Sequence, residues 1–270
     1  MKCSNHTKGF SAQAGFTLVE LAIVMIIIGL LIGGVLKGQQ LITNAQITAT
    51  VAQIKAIDAA TTSFKDQYAA VPGDMTTPNA RLPNCPAASS CGQAGNGDGR
   101  VGGASIDFTA TPITDKEQVA YWAQLNAAGL LTGIQPDQTA VTATSWGQYA
   151  PASKVAGGGY DVGWYQGGVT LSGQQNTDAT NPAPAGEYLA LHGTAAAKVA
   201  GSAADSFLTP NLATRIDTKI DDGQPNTGTV QAAGAAAASA TSCAAGPAIT
   251  DVYNEALTQA VCSLYIQFQN

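Results

Sequence analysis

Two short loops carry oxygen-bearing side chains at spacings that could bind a cation. Asn96 and Asp98 lie between glycines in the first loop, and Asp217, Asp221 and Asp222 precede a glycine in the second. Calcium loops place alternating oxygen ligands around such a glycine turn. The first loop lacks the further carboxylates and the late bidentate glutamate of an EF-hand. Asn-Gly and Asp-Gly turn chemistry therefore competes with calcium in the first loop, and a capped, solvated turn competes with it in the second.

The number and positions of the five cysteines indicate whether the chain forms disulfides. Cys3 lies in the opening segment, and the other four are Cys85, Cys91, Cys243 and Cys262. We expect the opening segment with Cys3 to be removed, which leaves four cysteines. An even number of cysteines in an exported chain predicts disulfides rather than free thiols. Four cysteines allow three pairings, and the sequence order favours the two that close short local loops. These pairs are Cys85 with Cys91 and Cys243 with Cys262.

Histidines are too few for a zinc site or a common enzyme site. The chain has His6, near the N-terminus, and His192, which stands alone in the sequence. Tetrahedral zinc sites need tightly spaced cysteines with histidine partners, which this sequence lacks. It also lacks a GxSxG, HExxH or P-loop motif, so we do not expect an enzyme. The net charge of −6 and the scattered basic residues disfavour binding to nucleic acid.

Glu20 is the single charged residue in an apolar run from Phe16 to Leu36. A helix rises about 1.5 Å per residue, so these 21 residues would extend about 30 Å, enough to cross a bilayer core. A carboxylate in such a helix costs roughly 2.5–3.5 kcal/mol at the bilayer centre and less near the interface. Glu20 therefore either pairs with a cation of a neighbouring subunit, such as the terminal amine of Phe16, or reaches water at the interface.

The segment Met1–Gly15 precedes this apolar run and is short, polar and basic through Lys2 and Lys8. An ordinary secretory signal has its cleavage site after the apolar segment, whereas the Gly15–Phe16 junction lies before it. Cleavage at this junction would leave the hydrophobic helix on the mature protein. The short basic leader favours an N-terminus inside the cell and a head on the far side of the membrane.

The string GFTLVELAIVMIIIG, from Gly15 to Gly29, resembles the class III signal of type IV prepilins and type II secretion pseudopilins at nearly every position. The resemblance implies that a prepilin peptidase cleaves after Gly15 and methylates the amine of Phe16, and that Glu20 acts in assembly. It implies as further partners other pilin or pseudopilin subunits and an inner-membrane assembly platform. The precursor would lie in the inner membrane with its head in the periplasm, and the mature chain in a surface pilus or a periplasmic pseudopilus.

Apolar residues continue at spacings of three and four beyond the membrane segment, as in an amphipathic helix. We predict one helix from Phe16 to Tyr68, ended by the sequence Val71-Pro72-Gly73. The chain is then divided into a leader (1–15), a membrane and filament-core helix (16–36), its amphipathic continuation (37–70) and a globular head (71–270).

The head is predicted to contain short helices and several strands. We expect helices at Asp115–Leu131 and Thr209–Lys219, and strands at Tyr160–Tyr165, Val169–Leu171 and Tyr188–Leu191. Residues 72–114 are rich in Pro, Gly and Asn and predict an irregular connection. Ala232–Ala245 predicts an exposed loop, because its small side chains bury too little surface to offset the entropy of ordering.

Together with the resemblance, these elements predict an α+β fold of the type IV pilin kind, in which a long N-terminal helix packs on an antiparallel sheet with extended loops. The predicted function is that of a structural subunit of a type IV pilus or a type II secretion pseudopilus. Major pilins, minor pilins and pseudopilins all fit these residues. The alternative is a membrane-anchored extracellular binding protein or adhesin, which would explain a polar head in a chain with only 11% charged residues. It would not explain Glu20 or a cleavage motif before the apolar run.

Overall fold

The structure is a computed structural model that describes residues 17–102, 116–134, 146–155, 157–167, 183–193, 206–234 and 242–268. Within these ranges the helices are α1 (Leu18–Tyr68), α2 (Pro78–Arg81), α3 (Lys116–Ala127) and α4 (Pro210–Ile220). The strands are β1 (Gly159–Tyr165), β2 (Gly186–His192), β3 (Val230–Gly234) and β4 (Cys262–Gln267). The long N-terminal helix and the antiparallel sheet confirm the predicted α+β fold of the pilin kind.

Helix α1 has 51 residues and ends at Tyr68, as the sequence predicts. The predicted first residue, Phe16, lies outside the described ranges. The chain divides into two compact units between Ala45 and Gln46, so the boundary falls inside α1. Apolar residues of α1 from Ile47 to Phe64 are buried in the core of the second unit.

Helices α3 and α4 lie where the sequence places them, within a few residues at each end. Helix α4 begins at Pro210, and the Thr209 hydroxyl oxygen accepts a hydrogen bond from the Leu212 N–H at 3.4 Å. A threonine N-cap followed by proline is a common helix start. Helix α3 ends at Ala127, shortly before Gly129, whose φ of 73° suits glycine and terminates the helical path.

The sheet is antiparallel, with strand order β1-β2-β4-β3. Strands β1 and β2 pair from Gly159 with His192 to Tyr165 with Gly186. The predicted strands at Tyr160–Tyr165 and Tyr188–Leu191 are confirmed, whereas Val169–Leu171 lies outside the described residues. Strand β4 is not identified from the sequence. It is buried along nearly its whole length, so its residues do not show the simple alternation of a half-exposed strand.

The prediction of an exposed loop at Ala232–Ala245 is wrong where the structure describes this segment. Ala232 and Ala233 lie in β3, pair with residues of β4 and are fully buried. Cys243 and Ala244 are also fully buried. Small side chains lose little rotamer freedom on ordering, and pairing with β4 satisfies the backbone of β3. An alanine-rich strand can therefore be stable once both its faces are covered. Residues 235–241 lie outside the described ranges.

Both faces of the sheet are buried. One face packs with the helices around the main core, which includes Ile57, Phe64, Trp122, Tyr160, Val162, Leu189 and Leu264. The other face carries a smaller cluster formed by Tyr165, Ala183, Tyr188, Ala190, Ala233 and Tyr265. Polar side chains on either face therefore need partners inside the protein, because buried polar groups are destabilising when they lack hydrogen bonds.

Candidate functional site

The N-terminus of α1 is closed by reciprocal hydrogen bonds between Thr17 and Glu20. The Thr17 backbone N–H and hydroxyl donate to Glu20 Oε2 at 2.9 and 2.8 Å. The Glu20 N–H in turn donates to Thr17 Oγ1 at 3.2 Å. Thr17 is thus the N-cap and Glu20 the third helical residue of a capping box. The carboxylate also faces the positive end of the helix dipole, so Glu20 is stabilised within its own chain.

This capping box gives Glu20 a role within its own chain. The spacing Thr-x-x-Glu, here Thr17 to Glu20, is itself a known signal for a helix start and could have identified it. Both bonds to the carboxylate reach Oε2, and Glu20 is exposed, so its other oxygen is accessible to a further donor. The predicted cleavage and methylation residues, Gly15 and Phe16, lie outside the described ranges.

Large apolar side chains are exposed along α1 from Leu18 to Ile42. Leu30 is 72% exposed, and Leu41 and Ile42 are each 61% exposed, so this surface extends beyond the predicted membrane segment ending at Leu36. By length and composition, α1 is able to cross a membrane. Soluble monomers rarely expose a continuous apolar surface of this extent. The segment therefore requires lipid or protein around it.

A comparison with protein families matches residues 8–36 to the prokaryotic N-terminal methylation motif. The chain carries a type IV prepilin or pseudopilin signal. The match covers the Gly15–Phe16 junction, Glu20 and the apolar helix as far as Leu36, and it confirms the resemblance seen in the sequence. Comparisons with curated proteins and with solved structures give no match.

The second unit contains the disulfides Cys85–Cys91 and Cys243–Cys262. These are the two pairs that the sequence order favours. All four cysteines are buried in the main core. The second disulfide joins a loop to the first residue of β4 across a sequence separation of 19. The Cys243–Cys262 disulfide therefore ties an irregular segment to the sheet, whereas Cys85–Cys91 closes a local loop within one irregular segment.

Three buried carboxylates hold the first candidate cation loop in place. Its backbone N–H groups donate to them at 2.6–2.9 Å: Asn96 and Gly102 to Glu117, Gly97 and Gly99 to Asp74, and Val101 to Glu187. Gly97 and Gly99 have φ of 79° and 84°, which lets successive N–H groups converge on one anion. The loop is thus a concave anion site occupied by carboxylates of the protein itself. The sequence does not single out these carboxylates, because they are distant from one another along the chain.

Asn96 and Asp98, the predicted ligands in this loop, bond to the loop itself. Asn96 Oδ1 accepts a hydrogen bond from the Asp98 N–H at 2.8 Å, and Asp98 Oδ1 accepts one from the Arg100 N–H at 3.0 Å. These contacts are Asx turns. The inward-facing groups of the loop are N–H donors, whereas calcium requires oxygen ligands. The geometry favours turn chemistry, and calcium at Asn96 and Asp98 stays a prediction.

Asp217, Asp221 and Asp222 come together, with ligand oxygens within 4.8 Å of one another. Their carboxylates accept hydrogen bonds from several protein donors: Tyr253 Oη to Asp217, the Thr229 N–H and hydroxyl to Asp221, and the Gln224 N–H and Thr227 hydroxyl to Asp222. These bonds close the turn after α4 and link it to the C-terminal loop. The capped-turn interpretation accounts for them, and calcium at the three aspartates stays a prediction.

Two carboxyl groups are buried deeply enough to hold a proton near neutral pH. Burial raises the pKa of Glu187 to about 7, although the Val101 N–H opposes the change. Burial also raises the pKa of Asp217 to about 7, against the opposing hydrogen bonds from the Tyr253 hydroxyl and the Gly223 N–H. Loss of hydration disfavours the charged form of a carboxyl group. Both groups tie loops to the core, so their ionisation bears on the stability of the head.

His192, which stands alone in the sequence, has a carboxylate partner in the structure. Its Nε2 lies 3.3 Å from Asp161 Oδ2 across strands β1 and β2, and both side chains are buried. The Tyr149 hydroxyl bonds to the same carboxylate, and the Trp146 ring packs edge-on against the imidazole at 5.0 Å. His192 is 0% exposed, so a substrate has no access to this pair. The arrangement is a buried polar network of the second sheet face.

Proposed function

We propose that this chain is a structural subunit of a type IV pilus or a type II secretion pseudopilus. On this proposal a prepilin peptidase cleaves after Gly15 and methylates the new amine of Phe16. The match of residues 8–36 to the N-terminal methylation motif carries the proposal. The exposed apolar surface of α1 from Leu18 to Ile42 supports it, because a subunit held through its helix needs such a surface.

The chemistry of α1 suits both of the environments that the proposal requires. The precursor lies in the inner membrane with its head in the periplasm, and an inner-membrane assembly platform passes it to other pilin or pseudopilin subunits. Lipid and neighbouring helices both cover apolar side chains, so transfer between them leaves little apolar surface in water. The capping box lowers the free-energy penalty of placing Glu20 in the membrane. The other carboxylate oxygen, Glu20 Oε1, can accept a hydrogen bond from the terminal amine of a neighbouring subunit.

Intact mass and N-terminal sequencing of the chain from its native membrane test the processing step. We expect a mature chain that starts at N-methylated Phe16. A start at Met1, or after Leu36, would contradict the proposal and favour a membrane-anchored binding protein that does not polymerise. The abundance of the mature chain in shed filaments then separates a surface pilus from a periplasmic pseudopilus.

Substitution of Glu20 tests the assembly step. Glu20→Ala should preserve membrane insertion and cleavage but lower incorporation into filaments at least tenfold, because it removes the charge and the carboxylate half of the capping box. Glu20→Gln keeps a capping oxygen without the charge and is the matched variant. A defect in both variants supports pairing with a cation, and a defect in Glu20→Ala alone assigns the effect to the cap. Normal incorporation of both variants would overturn the assembly role of Glu20.

A further inference from the structure

The sequence contains three dipeptides whose chemistry favours a spontaneous backbone reaction. They are Asn96–Gly97, Asp98–Gly99 and Asp222–Gly223, and we refer to them as the succinimide-prone pairs. In each pair the glycine nitrogen can attack the side-chain carbonyl carbon of the preceding residue and close a five-membered ring. Glycine has no side chain to hinder this approach. The first residue of each pair is exposed to water, so exposure alone would leave all three pairs reactive.

The reaction at Asn96 exchanges one amide bond for another. The Gly97 nitrogen loses its proton and bonds to Asn96 Cγ, while the Cγ–Nδ2 bond breaks and ammonia leaves with that proton. Water then opens the ring at either carbonyl, which gives aspartate or isoaspartate. At Asp98 the Gly99 nitrogen attacks in the same way and a water molecule leaves, and reopening of the ring by water gives isoaspartate or restores aspartate. Both reactions need a glycine N–H that is free to lose its proton.

A single buried carboxylate engages both glycine nitrogens of the first loop. The Gly97 N–H donates to Asp74 Oδ1 at 2.6 Å, and the Gly99 N–H donates to Asp74 Oδ2 at 2.7 Å. Asp74 is 4% exposed. Hydrogen bonds to a charged acceptor are stronger than those between neutral groups. Removing the proton from either nitrogen would also place a second negative charge beside the carboxylate, which is unfavourable away from water.

Backbone packing holds Asp74 against the loop. The Gly95 N–H donates to the Met75 carbonyl at 2.8 Å, and a Cβ atom on Gly95 would lie only 2.4 Å from Asp74 Cα. Gly97 and Gly99 have φ of 79° and 84°, which lets their N–H groups converge on this one carboxylate. The two contacts therefore follow from the path of the backbone and do not depend on a mobile surface side chain.

The carbonyl carbon that would be attacked in the first pair is held as well. Asn96 Oδ1 accepts a hydrogen bond from the Asp98 N–H at 2.8 Å, and Asn96 Nδ2 donates to Asp98 Oδ2 at 3.1 Å. The Asn96 amide group is thus bonded to Asp98 while the Gly97 nitrogen is bonded to Asp74. Both sets of bonds must break before the nitrogen reaches the carbon.

A similar arrangement recurs at the third succinimide-prone pair. The Gly223 N–H donates to Asp217 Oδ1 at 3.3 Å, and Asp217 is fully buried. The other oxygen of Asp217 accepts a hydrogen bond from the Tyr253 hydroxyl at 2.8 Å. Turn chemistry explains the conformation of these segments, but it does not require each glycine N–H to meet a buried carboxylate. The recurrence points to a shared chemical consequence.

We propose that Asp74 prevents succinimide formation at Asn96–Gly97 and Asp98–Gly99, so that this loop is a latent modification site which reacts only on local opening. The inference goes beyond filament assembly and does not depend on it. Reaction at Asn96 would add a negative charge beside Asp98. Isoaspartate would also lengthen the backbone by one atom and move the Gly97 N–H away from Asp74. The first modification would therefore weaken the remaining contacts of the loop and be irreversible.

Peptide mapping of the full chain in detergent tests this inference. The chain and a synthetic peptide of residues 93–102, which serves as the unfolded reference, are incubated side by side at mildly alkaline pH. Mass spectrometry with electron-transfer fragmentation quantifies deamidation at Asn96 and isoaspartate at position 98. We expect Asn96 to react at least tenfold more slowly in the chain than in the peptide. Equal rates would overturn the inference.

Substitution of Asp74 tests which group gives the protection. Asp74→Asn keeps one of the two acceptor oxygens, so the summed rate at the two pairs of the loop should rise at least tenfold. Asp66→Asn, at an exposed residue of α1, removes the same charge and is the matched control, which should leave the rate unchanged. An unchanged rate in Asp74→Asn overturns the inference. A slower rate also overturns it, because Asp74 would then act as the base that promotes the reaction.

The third succinimide-prone pair shows whether the effect of Asp74→Asn is local, because Asp217 holds that pair. Acceleration confined to the first loop supports the inference. If all three pairs accelerate, the substitution has unfolded the head, and hydrogen exchange of the unsubstituted chain decides. The amides of Gly97 and Gly99 should then exchange at least tenfold more slowly than in the peptide, and unprotected amides overturn the inference.

Discussion

The two parts of helix α1 belong to one element but differ in the exposure of their apolar side chains. From Leu18 to Ile42 the large apolar side chains are exposed, whereas from Ile47 to Phe64 the apolar side chains are buried in the second unit. The first part depends on its own backbone bonds and on the cap at Thr17, and the second part is stabilised by tertiary packing. One continuous helix therefore carries both an exposed apolar surface and a face that is covered by the second unit.

Truncation of a large side chain in each part is the strongest test of this comparison. Phe64→Ala should lower the free energy of unfolding of the head by about 3–5 kcal/mol, because Phe64 is fully buried. Leu31→Ala is the matched variant, since Leu31 is 64% exposed, and should change that free energy by less than about 0.5 kcal/mol. Urea unfolding of the detergent-solubilised chain, followed by tryptophan fluorescence, measures both. Equal losses would show that the first part also stabilises the head.

The two disulfides stabilise irregular segments of the head, and removing each one measures its contribution to the free energy of unfolding. Replacing Cys243 and Cys262 together by alanine should lower the free energy of unfolding by about 3 kcal/mol, because this disulfide closes a separation of 19 residues. The same change at Cys85 and Cys91, separated by 6 residues, should have an effect roughly 1 kcal/mol smaller. The same urea titration compares the two double variants. A larger loss at the shorter loop would contradict the loop-closure explanation.

Buried carboxyl groups make the stability of the head depend on pH. The ordinary pKa values of Glu187 and Asp217 are 4.5 and 3.8, and burial raises the pKa of each to about 7. A raised pKa means that the folded state keeps its proton where the unfolded state has lost it. The stabilisation is therefore complete below about pH 4 and is lost as the pH rises to about 7, by on the order of 3–4 kcal/mol per group.

Unfolding measured between pH 4 and 8 tests this dependence. Glu187→Gln keeps an oxygen for the Val101 N–H but cannot ionise, so it should flatten the pH profile and raise stability at pH 7. Asp217→Asn should act similarly through its bond with Tyr253. If the free energy of unfolding depends equally steeply on pH in a variant that carries both substitutions, other groups cause the pH dependence.

The smallest expected effect lies just after the end of α1. Ala69 has φ of 48°, a left-handed conformation that favours glycine. Ala69→Gly should therefore stabilise the head by roughly 0.5–1 kcal/mol. Ala70→Gly, at a neighbour outside the left-handed region, should be neutral or destabilising. A thermal unfolding scan of both variants measures the difference, and a lower midpoint for Ala69→Gly would contradict this explanation.

Local signals in the sequence account for the N-terminal signal, helix α1 and the two disulfide pairs. The class III signal around Gly15 and Glu20, the length of the apolar run and the stop after Tyr68 depend on neighbouring residues and on the helical period. The Thr17–Glu20 capping box is equally local, because its two residues are three positions apart. The two disulfide pairs follow from sequence order because each closes a short loop.

The head shows what the sequence alone leaves undecided. Ala232 and Ala233 read as loop because their own side chains bury little, and only pairing with β4 and coverage of both faces make them a strand. The Val101 N–H meets Glu187 across a separation of 86 residues, and His192 meets Asp161 only because β1 and β2 are paired. The periodicity of apolar residues and the spacing of short motifs indicate interactions within one helix or strand. Sheet topology decides which distant polar groups share a buried site, and no local pattern encodes that choice.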